Sequence, residues 1–235
     1  MIDQERFRRR DLPHWDVPGA TYFVTCCLEN SIPARGLLDL RSFEATLKAR
    51  ERPPECNVAA WKARLWKLQF ARTDDWLDRE PASRLLSDPN LARLVVNALL
   101  HFAGQRYDVY ALVVMPSHFH WVFRPREEWV ATLVGPQSPR ERIMKSVKSF
   151  SSRQCNILRG CAGTFWQEES YDHWTRDADE WERILIYVEN NPVQARLAAT
   201  PEEWPFSSAK LRKEQGIALG APLGRPGGLP PQPRG

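Results

Sequence analysis

The chain has 235 residues, 43% of them hydrophobic, and Lys plus Arg exceeds Asp plus Glu by only 33 − 29 = 4. That composition excludes a disordered chain and suits one globular domain with additions, while so mild a positive excess permits a nucleic-acid partner without requiring one. The five cysteines (Cys26, Cys27, Cys56, Cys155 and Cys161) are odd in number and lack Cys-x-x-Cys spacing, which excludes a disulfide framework and a zinc finger. No stretch resembles a signal peptide and no apolar run reaches the length of a membrane span, so a reducing cytoplasm is the expected location.

Residues 1–18 read as a basic, irregular arm carrying Arg6, Arg8, Arg9 and Arg10, then His14 and Trp15. It is either a solvated tail or a segment that tracks phosphates. Residues 19–212 read as a single domain. Ala20–Leu28 is rich in β-branched and aromatic residues between turn signals and predicts the first strand. Residues 41–80 read as a helical insertion. Within it Val58, Trp61, Leu65 and Leu68 recur at helical spacing with basic residues between them, and Asp74, Asp75, Asp78 and Glu80 follow. Shielding a core edge is its default role.

Asp88-Pro89 predicts a helix start, with Leu91, Leu94, Val95, Ala98, Leu99 and Phe102 as its buried stripe. Tyr107–Met115 and His118–Arg124 predict two strands of an antiparallel hairpin turning at Pro116-Ser117. Ser138-Pro139-Arg140-Glu141 is a capping-box start for a helix running to Leu158. Thr164–Tyr171 reads as a fourth strand. Asp177 caps a last long helix that Asn191-Pro192 is expected to kink or end. Trp204–Ser208 reads as a packed return over the core. In 216–235, 11 of 20 residues are Gly or Pro, and 213–235 is expected to be a disordered tail.

Without the insertion the order is β-α-β-β-α-β plus a helix. That is an α+β, ferredoxin-like plan, an antiparallel sheet with helices on one face. In it the His118-Phe119-His120 strand lies centrally. Side chains two apart on a strand share a face, so both imidazoles project together, as a metal pair or as two hydrogen-bonded edge histidines. On the last helix Tyr187 and Asn191 are four apart and share a face. A tyrosine beside a metal is a possible nucleophile, and an asparagine oxygen a possible third ligand for Mg²⁺ or Mn²⁺.

Pro116-Ser117-His118-Phe119-His120 resembles the histidine–hydrophobe–histidine motif of single-tyrosine nucleases. Phe165-Trp166-Gln167, Tyr187-Val188-Glu189-Asn190-Asn191-Pro192 and Trp204-Pro205-Phe206-Ser207-Ser208 resemble the same family in the same order. The chain is similar over roughly residues 11–212 to the transposases associated with repetitive extragenic palindromes (REP), tyrosine enzymes related to the smallest insertion-sequence transposases. Ser117 stands where many relatives carry Asn, a change that leaves the motif intact. The resemblance implies cleavage and joining of single-stranded, hairpin-forming DNA through a 5′-phosphotyrosine. Tyr187 would be the nucleophile, and His118, His120 and Asn191 would bind the divalent metal. Arg8, Arg9, Arg10, Lys145, Lys148 and Trp166 are then expected to contact DNA. The protein would be cytoplasmic, associated with the nucleoid when bound to DNA, and either monomer or homodimer. A non-catalytic single-strand binder and a metal-dependent phosphodiesterase using activated water are the rival readings.

Overall fold

The computed structural model describes residues 6–9, 13–168, 170–175 and 177–224, and only the backbone of 6–9 and 13–16. The N-terminal arm is not irregular. Its strands β1 (Arg6–Arg9) and β2 (Pro13–Asp16) pair antiparallel, with Arg6 opposite Asp16. The cluster of arginines hid a period-two alternation of charged and aromatic residues, Arg6-Phe7-Arg8 and His14-Trp15-Asp16.

The main sheet holds β3 (Tyr22–Cys27), β4 (Tyr107–Val114), β5 (His118–Pro125) and β6 (Tyr171–Trp174), in the antiparallel order β4-β5-β3-β6. This is the ferredoxin-like order, and β5 is central as expected. The fourth strand starts at Tyr171, not Thr164. Phe165 and Trp166 are both buried, without the alternation a strand needs, and Trp166 makes a single bridge to Leu28.

The helices are α1 (Ala34–Lys48), α2 (Val58–Arg79), α3 (Pro89–Leu100), α4 (Glu127–Val130), α5 (Pro139–Leu158), α6 (Ala178–Gln194) and α7 (Ser208–Gln215). Their starts follow the local chemistry. Asp88 accepts from Asn90 N, Asp177 from Glu180 N, and Ser138 and Glu141 form the full capping box. Pro192 neither ends nor begins a helix; α6 continues through it to Gln194. So near the C-terminal end a proline removes a single hydrogen bond, and Pro192 is buried within the last turns of α6.

The crossover helices α3 and α5 share one face of the sheet, as expected. There Tyr22, Val24 and Cys26 of β3 and Phe119, Trp121 and Phe123 of β5 meet Leu91, Val95 and Leu99 of α3 and Ile143 and Val147 of α5. A β-bulge between Val109 and Ala111 shifts the phase of β4 by one residue, so Val109 and Leu112 both point into this core. The opposite face is not open. Leu185 and Val188 of α6, with Phe70 of α2, cover Phe23, Ala111, Val113 and Val122. Thus the insertion, with helices from Ala34 to Arg79, forms part of a third layer. Its two helices meet closely at Gly36, where a Cβ would lie 2.9 Å from Ile32 and 3.0 Å from Trp76.

Trp204–Ser208 returns over the core as expected: Val114 N donates to Phe206 O at 2.9 Å and Trp204 Nε1 to Val114 O at 2.9 Å. The segment expected to be a disordered tail from 213 is placed as far as 224. Residues 213–215 finish α7. The buried Arg212 donates to the carbonyls of Ala218 (2.6 Å) and Ala221 (2.9 Å), and Leu223 packs into the core, its N donating to Val109 O at 2.7 Å. Residues 225–235 lie outside the described residues. Among those described, no helix is long and apolar enough to cross a membrane.

Arg140 at the start of α5 and Asp172 on β6 form an ion pair of 2.7 Å, both side chains nearly fully buried. Removing one partner strands the other charge. Arg140→Ala is expected to lower unfolding stability by about 3–5 kcal/mol in a urea titration. A loss below about 1 kcal/mol, the value of an exposed pair, would contradict this.

Candidate active site

The site begins with strand register. Thr25 pairs with His120 and Cys27 with His118 across β3 and β5, so Thr25 and both histidines share one face. Both imidazoles are fully buried. Thr25 Oγ1 lies 2.7 Å from His120 Nδ1. Ser117 Oγ lies 2.9 Å from His118 Nδ1 and donates to Leu77 O at 3.0 Å. A hydroxyl has one proton. Since Ser117 gives its proton to a carbonyl, His118 Nδ1 must be the donor in their bond, and His118 Nε2 keeps its lone pair. That nitrogen faces His120 Nε2 at 3.1 Å. Two ring nitrogens so aimed, each with its other nitrogen tied to a hydroxyl, match metal ligation.

Helix α2 crosses this pair and adds Asp74, whose Oδ1 lies 3.3 Å from His120 Nε2 and 3.8 Å from His118 Nε2. Ligand atoms of Asp74, His118 and His120 all fall within 4.8 Å of one another. The other oxygen of Asp74, Oδ2, accepts a hydrogen bond from the Tyr187 hydroxyl. The Tyr187 ring centroid is 5.5 Å from that of His120. The tyrosine helix therefore meets the histidine pair within one chain.

Burial sets the protonation states. It pushes His118 down to about 3, helped by the neighbouring His120 imidazole, so His118 is neutral across the physiological range. Burial and then the Asp74 carboxylate raise the Tyr187 phenol well above its ordinary value. Burial, with Asp74 and Asp75 close by, lifts Asp78 to about 8. Burial also works to raise Asp74, but the two imidazoles close by and the hydrogen bond from Tyr187 bring it below the usual carboxylate range.

Several polar atoms here are buried without a hydrogen bond: Asp74 Oδ1, Asp78 Oδ1 and both polar atoms of the Asn191 amide. Asn191 is near enough to Asp78 and Tyr187 to favour their charged forms, yet makes no bond of full hydrogen-bond geometry. Each such atom costs about 1–3 kcal/mol. A divalent cation would satisfy the lone pairs of His118 and Asp74 together, so the donor set fits a metal. Mixed imidazole and carboxylate donors suit Mn²⁺ better than the harder Mg²⁺.

The remaining expected contacts fare differently. Trp166 is buried, and its Nε1 donates to Ser151 Oγ at 2.9 Å, so it has no free face for a base. Lys148 donates to the carbonyls of Gln167 (2.6 Å) and Glu168 (2.7 Å) and braces that loop. Lys145 is exposed, but α5 packs on the face away from the histidines. For Arg8 and Arg9 only the backbone is described, and Arg10 lies outside the described residues. The sequence reading missed Asp74, Asp78, Ser117 and Thr25. The signal for the first two was present: Asp74 and Asp78 are four apart, so a helix carried past 72 puts both on one face.

No family model matches this chain, and no curated protein matches it. Solved structures are similar to this chain. One of them is described as "Structure of the REP associates tyrosine transposase bound to a REP hairpin", with 16% sequence identity, 94% of this chain and 93% of that chain covered, and a TM-score of 0.49. At that identity and score the likeness adds nothing to what the geometry says.

Asp74→Ala is expected to weaken Mn²⁺ binding by about tenfold or more in titration calorimetry. Wild-type affinity in that variant would remove the α2 carboxylate from the ligand set.

Proposed function

We propose that this chain is a divalent-metal-dependent tyrosine nuclease and strand-transferase that acts on single-stranded, hairpin-forming DNA. The observation that carries the reading is the meeting of a phenol and a histidine pair on one carboxylate: Tyr187 donates to Asp74, and Asp74 stands beside His118 and His120. The class of substrate is what the resemblance of the surrounding motifs to the REP-associated tyrosine transposases implies.

In this reading His118, His120 and Asp74 hold the ion, with Asn191 close by as a further oxygen donor. Bound there, a divalent ion supplies positive charge for the non-bridging oxygens of a phosphodiester and for the departing 3′-oxygen. The chain's own groups do the rest. Asp74 Oδ2 already accepts the hydrogen bond of Tyr187, so it is placed to take the phenol proton. The Tyr187 oxygen then bonds to phosphorus, and the bond from phosphorus to the 3′-oxygen breaks. That oxygen leaves as a hydroxyl after taking a proton from water, while Asp74 keeps the phenol proton until it passes to solvent. The product is a 5′-phosphotyrosine. Because the phosphodiester energy stays in that link, a 3′-hydroxyl can reverse the step or complete a transfer without ATP. Thr25 and Ser117 hold the imidazoles so that their Nε2 atoms face inward.

One observation favours a second reading. Asp78 is a largely buried carboxyl lifted to about 8, next to the same cluster, which suits proton transfer to or from water. A phosphodiesterase using activated water would cut without attaching to its product, and a pure strand binder would not cut.

The deciding experiment incubates the protein with hairpin DNA and Mn²⁺ and resolves the products on a denaturing gel. A protein–DNA adduct is expected with wild type and none with Tyr187→Phe. Cleaved DNA without an adduct would favour the water mechanism, and intact DNA would favour the binder.

A further inference from the structure

A groove of about 1010 Å³ runs between α2 and α6, with Tyr187 and Asp74 on its floor. This is at the upper end of the ~300–1,000 Å³ typical of ligand clefts. The imidazoles lie behind that floor, fully buried. A ligand that reaches Tyr187 along this groove meets its walls, and those walls would select it.

One wall is aromatic. Trp66 stacks on Phe70 with ring centroids 5.4 Å apart and planes within 9°, and on His173 at 5.2 Å and 23°. Phe70 in turn contacts the Tyr187 ring at 6.3 Å. A line of rings therefore leads along the groove from Trp66 through Phe70 to the phenol. Trp66 is only half-buried, though it is large and apolar and has partners on the sheet side. The rim is cationic. Two of the lining carboxylates are compensated, Asp75 by Arg79 at 2.7 Å and Glu180 by Lys67 at 2.6 Å. Arg84, Arg183 and Arg196 line the same groove, are exposed, and form no ion pair among the described residues. A row of π-faces beside unpaired guanidinium groups fits a chain of alternating bases and phosphates. It does not fit duplex DNA, whose bases already stack on one another and present only their edges.

Building on the nuclease reading above, we propose that the groove between α2 and α6 is the track for an unpaired DNA strand, with Trp66 as its base-stacking platform and Arg183 and Arg196 as phosphate contacts. The insertion thus supplies one wall of the substrate site. The strand enters past Trp66 and Phe70 and presents a phosphate to Tyr187 at the inner end.

The test uses the full chain carrying Tyr187→Phe and oligothymidine with 2-aminopurine placed at successive positions. Fluorescence at one position is expected to fall on binding, and a duplex of equal length is expected to bind more weakly. Trp66→Leu is expected to restore the fluorescence and weaken binding by about fivefold to a hundredfold, the range that loss of one base–aromatic stack spans, whereas Trp66→Phe keeps both signals. The pair Arg183→Ala and Arg196→Ala is expected to lower the slope of log affinity against log salt by about 0.7 for each lost contact. Wild-type quenching in a folded Trp66→Leu, or an unchanged salt slope in the arginine pair, overturns the track; the arginine pair decides alone if Trp66→Leu does not fold. The two proposals fail separately. An adduct formed by the wild-type chain, with groove variants that bind as it does, sinks the track alone. A signal that depends on Trp66, with no adduct formed, sinks the nuclease reading alone.

Discussion

The polar face of the sheet is organised about the two oxygens of Asp74, one taking the hydrogen bond of Tyr187 and the other lying 3.3 Å from His120 Nε2. Three elements distant in sequence meet there: α2 from the insertion, β5 from the hairpin, and α6 near the end of the domain. Without the carboxylate, a phenol and two imidazoles would be neighbours with no shared partner. With it, the phenol proposed as nucleophile and the groups suited to hold a cation share one buried residue.

Such a cluster is costly to the fold, and the scaffold shows how it is borne. Burying a carboxylate disfavours its charge, and the imidazoles and the phenol offset that at Asp74. At Asp78 the Asn191 amide and Arg79 offset it only in part, and the carboxyl is driven up to about 8. The rest of the polar face is tied down by short bonds to hydroxyls, Thr25 on one imidazole and Ser117 on the other, and Ser117 is itself fixed to the Leu77 carbonyl of α2. The apolar contacts of Phe70, Leu185 and Val188 close the layer around it. Rigidity and desolvation at one place are what a nucleophile and a metal both require.

Much of this was legible in the chain. Cap chemistry placed the starts of α3, α5 and α6, because Asp88, Ser138 and Asp177 act locally through backbone donors one turn away. Strand periodicity placed His118 and His120 on one face, and helical spacing put Tyr187 and Asn191 together. What could not be read is long-range. Nothing local in the 41–80 stretch says which side of the sheet it will cover, so Asp74 was visible as an acidic residue but not as a partner of Tyr187. Trp166 and Lys148 were misjudged for the same reason. An aromatic or a lysine looks available until the chain that buries it or accepts its protons is in place. The arm and the tail erred in the other direction: alternation hidden among arginines made a hairpin of β1 and β2, and a buried Arg212 ordered residues of a Gly- and Pro-rich stretch.

The claim at the centre is that Asp74, His118 and His120 bind one ion within reach of Tyr187. Crystals grown with Mn²⁺ and measured for anomalous scattering test this most directly. The account predicts a single peak bonded to Nε2 of both histidines and to Oδ1 of Asp74, with the Tyr187 hydroxyl beside it. A peak elsewhere, or none at saturating Mn²⁺ with the three side chains in place, would contradict it.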